Sequence, residues 1–175
     1  MADSADLVIT APEPFGARLA YLASARMTLG VLTELVVGAK SRLVLAAPYL
    51  SEEVFEAGVL AASIHSALDR GVLVELASTG NQVRSLPEAV QRRRAGSRLV
   101  LYSSNANIEG ESRLGSHAKF CISDSTAAYL GSANFTSPGL NGHLEMGVLF
   151  RGDKATEISS FWDMLKDLGI FSQVP

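Results

Sequence analysis

The chain has 175 residues and a mass of 18.5 kDa, the length of one domain with its own core. It is 47% hydrophobic and 19% charged, with a mean hydropathy of +0.21 and a net charge of −3, a balance that excludes intrinsic disorder. The most apolar region, Leu19 to Leu50, is broken by Arg26, Glu34, Lys40 and Arg42, so no uncharged run reaches the roughly 18 residues of a membrane span. Acids rather than bases open the chain at Asp3 and Asp6, which argues against a secretory leader. The single Cys121 can form no internal disulfide, and three histidines argue against a structural zinc cluster. These features predict a cytoplasmic globular protein, and the low charged fraction suggests that part of its surface is covered by a partner.

In chain order, residues 1–14 are polar and contain Pro12 and Pro14, which reads as a flexible N-terminal arm before a single domain over 15–175. Leu29, Leu32, Leu35 and Val36 recur at helical spacing and predict a helix over 27–40. Residues 41–47 read as a buried strand stopped by Pro48, and 51–70 as one helix ending at Gly71. A strand over 72–77, a short helix over 86–95 and a strand over 98–102 complete a β-α-β-α-β order, which favours parallel pairing. Residues 103–116 form a long polar connection, a candidate functional segment. Strands over 117–123, 127–132 and 144–151 follow, then a helix over 154–168 that should bury Ile158, Phe161, Trp162 and Leu165. The predicted fold class is α/β, a mixed, largely parallel sheet sandwiched between helices.

The chemistry concentrates after residue 116. Period-2 alternation puts His117, Lys119 and Cys121 on one strand face, and Ala118, Phe120 and Ile122 on the other. Asp124, Ser125 and Thr126 suit a tight hairpin turn, which sets Ser132 and Asn134 beside the first pair. Glu145 shares a parity with His143 on the third strand. Lys119 offers positive charge, and Ser132 and Asn134 offer neutral donors, a set suited to the nonbridging oxygens of a phosphate. His117 can attack phosphorus or protonate a leaving oxygen, and Glu145 can fix its tautomer from the far ring nitrogen. Catalysis of phosphoryl transfer is largely positioning and charge stabilisation, which this set supplies without a metal or other cofactor. Cys121 reads as a small buried hydrophobe, and His143 as a loop residue after Gly142.

His117-x-Lys119-x4-Asp124-x6-Gly131-Ser132-x-Asn134, with Glu145 downstream, resembles the HKD signature of the phospholipase D superfamily at its full spacing, and the likeness extends over about residues 27 to 168. The resemblance implies a phospholipase D-like fold and a phosphohistidine on His117. It also implies phosphate binding by Lys119, Ser132 and Asn134, and orientation of His117 by Glu145. Asp124 and Gly131 become structural members of the motif. Such a mechanism needs two histidines, and this chain has one HxK, so a homodimer must complete the active site. The small single-motif members are chiefly phosphodiesterases and nucleases, which makes nucleic acid the expected substrate and a phospholipid the alternative. A subset sits in phage-defence systems of the DISARM type, which adds defence-complex partners, and a non-catalytic nucleic-acid-binding role there, to the expectation.

Charge supports a polyanionic partner locally. Between Asn81 and Phe120, seven bases (Arg84, Arg92, Arg93, Arg94, Arg98, Arg113 and Lys119) meet three acids (Glu88, Glu109 and Glu111), a balance of +4 that leaves −7 elsewhere. Arg113, in the long connection, is a candidate nucleic-acid contact.

Overall fold

The computed structural model describes residues 3–79, 98–104 and 116–175. The helix expected over 86–95, the triplet Arg92–Arg94 and the candidate contact Arg113 lie outside the described residues. The described strands are β1 (Ser4–Thr10), β2 (Arg26–Met27), β3 (Arg42–Ala46), β4 (Leu73–Thr79), β5 (Leu99–Ser104), β6 (Phe120–Ser123), β7 (Ala127–Gly131), β8 (Glu145–Arg151) and β9 (Phe171–Gln173). They form one sheet in the order β2-β1-β8-β7-β6-β3-β4-β5-β9. The described helices are α1 (Gly16–Leu22), α2 (Thr28–Gly38), α3 (Glu52–Glu56), α4 (Gly58–Asp69) and α5 (Asp153–Asp167), with one π-helical turn at Pro138–Gly142.

The β-α-β order produces the parallel pairs β3–β4 and β4–β5, while β6, β7 and β8 run antiparallel to their neighbours. Alternation sorts each strand between two cores. Leu43, Leu45, Val74, Leu76, Cys121, Tyr129 and Leu149 point to the face covered by α2 and α4. Val44, Ala46, Ala77, Phe120, Ile122 and Ala128 point to the other, where Trp162 of α5 packs edge-on against Tyr102, Phe120 and Phe171. Each fully buried Leu or Phe removes enough apolar surface to contribute about 1.5–3 kcal/mol. The sheet is thus mixed and lies between helical layers.

Four features differ from the sequence expectations. Residues 4–10 are not an arm: they form β1, paired along its whole length with β8 from Ser4↔Arg151 to Thr10↔Glu145. The pairing buries Val8, Ile9 and Thr10, and the Asp3 carboxylate accepts from the Asp153 amide at 2.8 Å, occupying the N-terminus of α5. The single helix expected over 51–70 is split, because Ala57 is extended and Gly58 takes a φ of +87°, a conformation glycine adopts without steric cost. Phe161 is 58% exposed rather than buried, since α5 turns Trp162 to the sheet and leaves Phe161 on its outer side. The strand expected from residue 117 starts at Phe120, and His117 to Lys119 lead into it, with the Lys119 carbonyl accepting from the Gly131 amide at 3.1 Å.

The face carrying Glu75 is stitched to α5 by charge. The Glu75 carboxylate, 3% exposed, accepts from Arg42 Nε at 2.9 Å, Trp162 Nε1 at 2.6 Å and Lys166 Nζ at 3.2 Å. Asp163 receives Arg42 from the other side at 2.6 Å, and this contact with Arg42 holds the Asp163 carboxyl below the usual range.

Candidate active site

Strand direction brings the predicted site residues to one edge of the sheet. β6 runs antiparallel to β3, so its entry, His117 to Lys119, lies where β3 ends at Ala46. β7 ends there at Gly131 and β8 begins there at Glu145. The hairpin that sets these strands side by side has its turn at the opposite edge, at Asp124 and Ser125, both with positive φ. The Asp124 side chain is therefore far along the strand from His117. Its carboxylate accepts from the amides of Lys40, Ser41 and Arg42 at 2.7, 2.8 and 2.9 Å, and from the Ser41 hydroxyl at 2.8 Å. Burial alone would raise this carboxyl, but together those donors hold it below the ordinary value.

Two polar pairs occupy the edge where β6 and β8 begin. Lys119 is 4% exposed, and its Nζ lies 3.0 Å from His117 Nδ1, 3.5 Å from Nε2 and 2.9 Å from the His117 carbonyl oxygen, to which it donates. Burial lowers the Lys119 pKa, while the negative charge of Glu145 acts to raise it. Glu145 forms the second pair: it accepts a short hydrogen bond from the Ser132 hydroxyl, and that same Oγ accepts from the Met146 amide at 3.1 Å. Within this chain the Glu145 carboxylate is thus engaged by Ser132, where the sequence led us to expect the His117 ring. His143 Nδ1 stands 3.9 Å from Glu145, at the exposed start of the same strand. Asn134 follows Ser132 around the turn, and its Oδ1 is buried without a hydrogen-bond partner. Cys121 is fully buried, and burial pushes its thiol up, so it takes the apolar role expected of it.

The floor of the site explains the motif glycine. Tyr129 is fully buried, and its ring lies over Gly131 and Gly147, which sit opposite each other in the β7–β8 ladder. A Cβ on Gly131 would stand 2.2 Å from the Tyr129 hydroxyl oxygen, and one on Gly147 would stand 2.5 Å from Tyr129 Cε2. The hydroxyl faces the Ala133 amide and the Thr28 hydroxyl but completes an ordinary hydrogen bond with neither, and burial pushes the phenol up to about 12. Tyr129 and Gly147 were not singled out from the sequence. The legible signal was Gly147 itself, a glycine inside an apolar strand, which marks a close approach of another group.

The matches to known proteins agree with this architecture. The family model described as "cardiolipin synthase, PLD-like domain" matches residues 32–164. Among solved structures, Nuc from Salmonella typhimurium, a phospholipase D family member, is similar at 18% identity and a TM-score of 0.65, over 99% of both chains. NucT from Helicobacter pylori is similar at 14% identity and a TM-score of 0.69, over 95% of this chain and 97% of that one. Phosphatidylserine synthase from Haemophilus influenzae is similar at 14% identity and a TM-score of 0.68, over 99% of this chain but 40% of that one. No curated protein sequence matches. With a family model spanning most of its length and the sheet that model implies, the chain belongs to the phospholipase D superfamily.

Proposed function

We propose that the protein is a phosphodiesterase acting on nucleic acid, independent of metal, through a phosphohistidine at a site shared by two copies of the chain. The observation that carries this reading is the meeting of the His117–Lys119 pair with the Ser132–Glu145 pair at one sheet edge. A phosphate entering there draws the Lys119 ammonium to its nonbridging oxygens and releases the His117 ring from that cation. Asn134 supplies a neutral donor, the Ser132 hydroxyl supplies another by turning its proton from Glu145 to the phosphate, and Glu145 positions this side of the pocket. A ring nitrogen of His117 attacks phosphorus in line, and the bond from phosphorus to the leaving oxygen breaks. The leaving oxygen takes its proton from His117 of the second copy. Water then attacks phosphorus and gives a proton to that same second histidine, the P–N bond breaks, and both histidines return to their starting states.

The surface around the site supports pairing of two copies. Leu130, Leu144 and Met146 neighbour Gly131, Ser132 and Glu145 along the chain, and all three are exposed. Phe161 and Met164 of α5 and Leu168 just after it form an exposed apolar stripe at helical spacing. A two-fold arrangement of two copies over these exposed apolar side chains would cover them.

Lipid phosphodiesters form the second reading. Phe15, Leu19, Tyr21 and Leu22 expose an apolar rim on and beside α1, which follows the end of β1 at the catalytic edge. No helix among the described residues is long and apolar enough to cross a membrane.

The deciding experiment measures cleavage of labelled DNA and RNA in excess EDTA by wild type, His117→Ala and His143→Ala. The expected result is cutting that survives chelation, disappears with His117→Ala and persists with His143→Ala. Complementation of His117→Ala by a second inactive variant carrying an intact His117 and a Lys119→Ala change tests the shared site. Cleavage of phospholipid vesicles but of no nucleic acid would select the lipid reading instead.

A further inference from the structure

We infer that Tyr49 is a nucleobase-stacking subsite beside His117, which makes single-stranded or locally unpaired nucleic acid the substrate. The inference rests on the nucleic-acid reading above and assigns the substrate class of the same site.

The placement follows from backbone pairing. β3 and β6 run antiparallel in the register Leu43↔Ser123 to Ala46↔Phe120. β3 ends at Ala46 beside the start of β6 at Phe120, so Tyr49, three residues beyond β3, and His117, three residues before β6, leave the sheet at the same edge. The next residue, Leu50, bridges to Phe135, and the Ser51 amide donates to the Phe135 carbonyl at 2.9 Å. The Tyr49 backbone is therefore held at the edge where β3 ends, next to the segment that follows Ser132 and Asn134.

Its mounting is rigid. The carbonyl of Pro48 accepts from the hydroxyls of Ser78 at 2.9 Å and Thr79 at 3.3 Å, which fixes the chain before Tyr49 as the Phe135 bridge fixes it after. Pro48 and Leu50 are buried, whereas Tyr49 is 45% exposed. A large aromatic held by fixed backbone and turned to solvent at the mouth of a phosphate site loses little entropy on binding a flat partner. Every nucleobase offers a π-face, so stacking tolerates any sequence. A base inside a duplex has both faces covered by its neighbours and must be unstacked first. A diacylglycerol phosphodiester has no such face at all.

The test uses a short labelled single strand, the same strand in duplex, and an abasic strand of equal length. Wild type, Tyr49→Ala, Tyr49→Phe and Tyr49→Trp are compared by kcat/KM, with thermal melting as the check on folding. Tyr49→Ala should lose roughly 10- to 100-fold on the single strand, the size of one base stack. Tyr49→Phe and Tyr49→Trp should stay within about threefold of wild type, because the π-face is kept. The abasic strand should be cut equally by wild type and Tyr49→Ala. Wild-type rates in Tyr49→Ala on the single strand, or an equal loss on the abasic strand, would overturn the inference while leaving the nuclease reading intact. Failure of wild type to cut any of the three would remove both.

Discussion

Gly131→Ala tests whether the motif glycine is a packing requirement set by Tyr129. The new Cβ would lie 2.2 Å from the Tyr129 hydroxyl oxygen, 2.6 Å from its Cζ and 2.9 Å from the backbone carbonyl oxygen of Met146. All three are well inside contact distance. The carbonyl belongs to the β8 ladder, and Tyr129 is fully buried, so neither can move without disturbing the sheet. Overpacking of this kind costs about 1–3 kcal/mol, and three simultaneous overlaps put this case at the upper end. For a chain of this length each kcal/mol lowers Tm by about 2–4 °C, so a fall of roughly 5–12 °C is expected. Tyr129→Phe removes the nearest atom but leaves Cζ, so the double variant should recover on the order of 1 kcal/mol of the loss. Gly30→Ala is the contrast: its Cβ meets nothing within 4 Å on α2, and helix propensity makes it neutral to stabilising by up to about 1 kcal/mol. Urea unfolding followed by circular dichroism at one protomer concentration reads all four variants, since an assembling protein's stability depends on that concentration. Wild-type stability in Gly131→Ala, or additive losses in the double variant, would refute the packing account.

Three further outcomes follow from the same structure. Glu75→Ala strips the carboxylate that meets the Trp162 indole N–H and leaves Arg42 and Lys166 to Asp163, so urea unfolding should show a loss of about 3–5 kcal/mol; a loss below about 1 kcal/mol would contradict it. Asp124 is held below the unfolded carboxylate value of about 3.9, so its contribution is complete above that pH and is lost as pH falls through the lowered folded value. Asp124→Asn should therefore lower stability at neutral pH and flatten its acid dependence, and Asn tolerates the positive φ there, which isolates the carboxylate as the cause. Burial lowers the Lys119 pKa, so the charged form that we propose binds phosphate is lost at a lower pH than for an ordinary lysine near 10.4, and the alkaline limb of kcat/KM should fall below that value; a profile flat to pH 10.5 would contradict it.

Much of the site was written in local pattern. Alternation through His117, Lys119 and Cys121 was read from the two-residue period of an extended chain, and the strand itself takes up that period only from Phe120. The motif spacing set Ser132 beside that strand because a tight turn at Asp124 leaves one register. Helical spacing in α2 and in most of α5 was legible for the same reason: each repeats within a few residues, and the buried side follows from the repeat. What lay beyond the sequence was decided by partners distant along the chain. β1 resembled a polar arm until β8, more than a hundred residues on, supplied its hydrogen bonds and covered Val8. Phe161 and Trp162 are adjacent and both aromatic, and only the position of the sheet selects which is buried. Ser132 takes the Glu145 carboxylate because two strand ends meet at one edge, and Gly131 is required because a tyrosine from its own strand folds back over it. A sequence period fixes which residues share a face; which groups then touch across that face depends on the distances that packing alone sets.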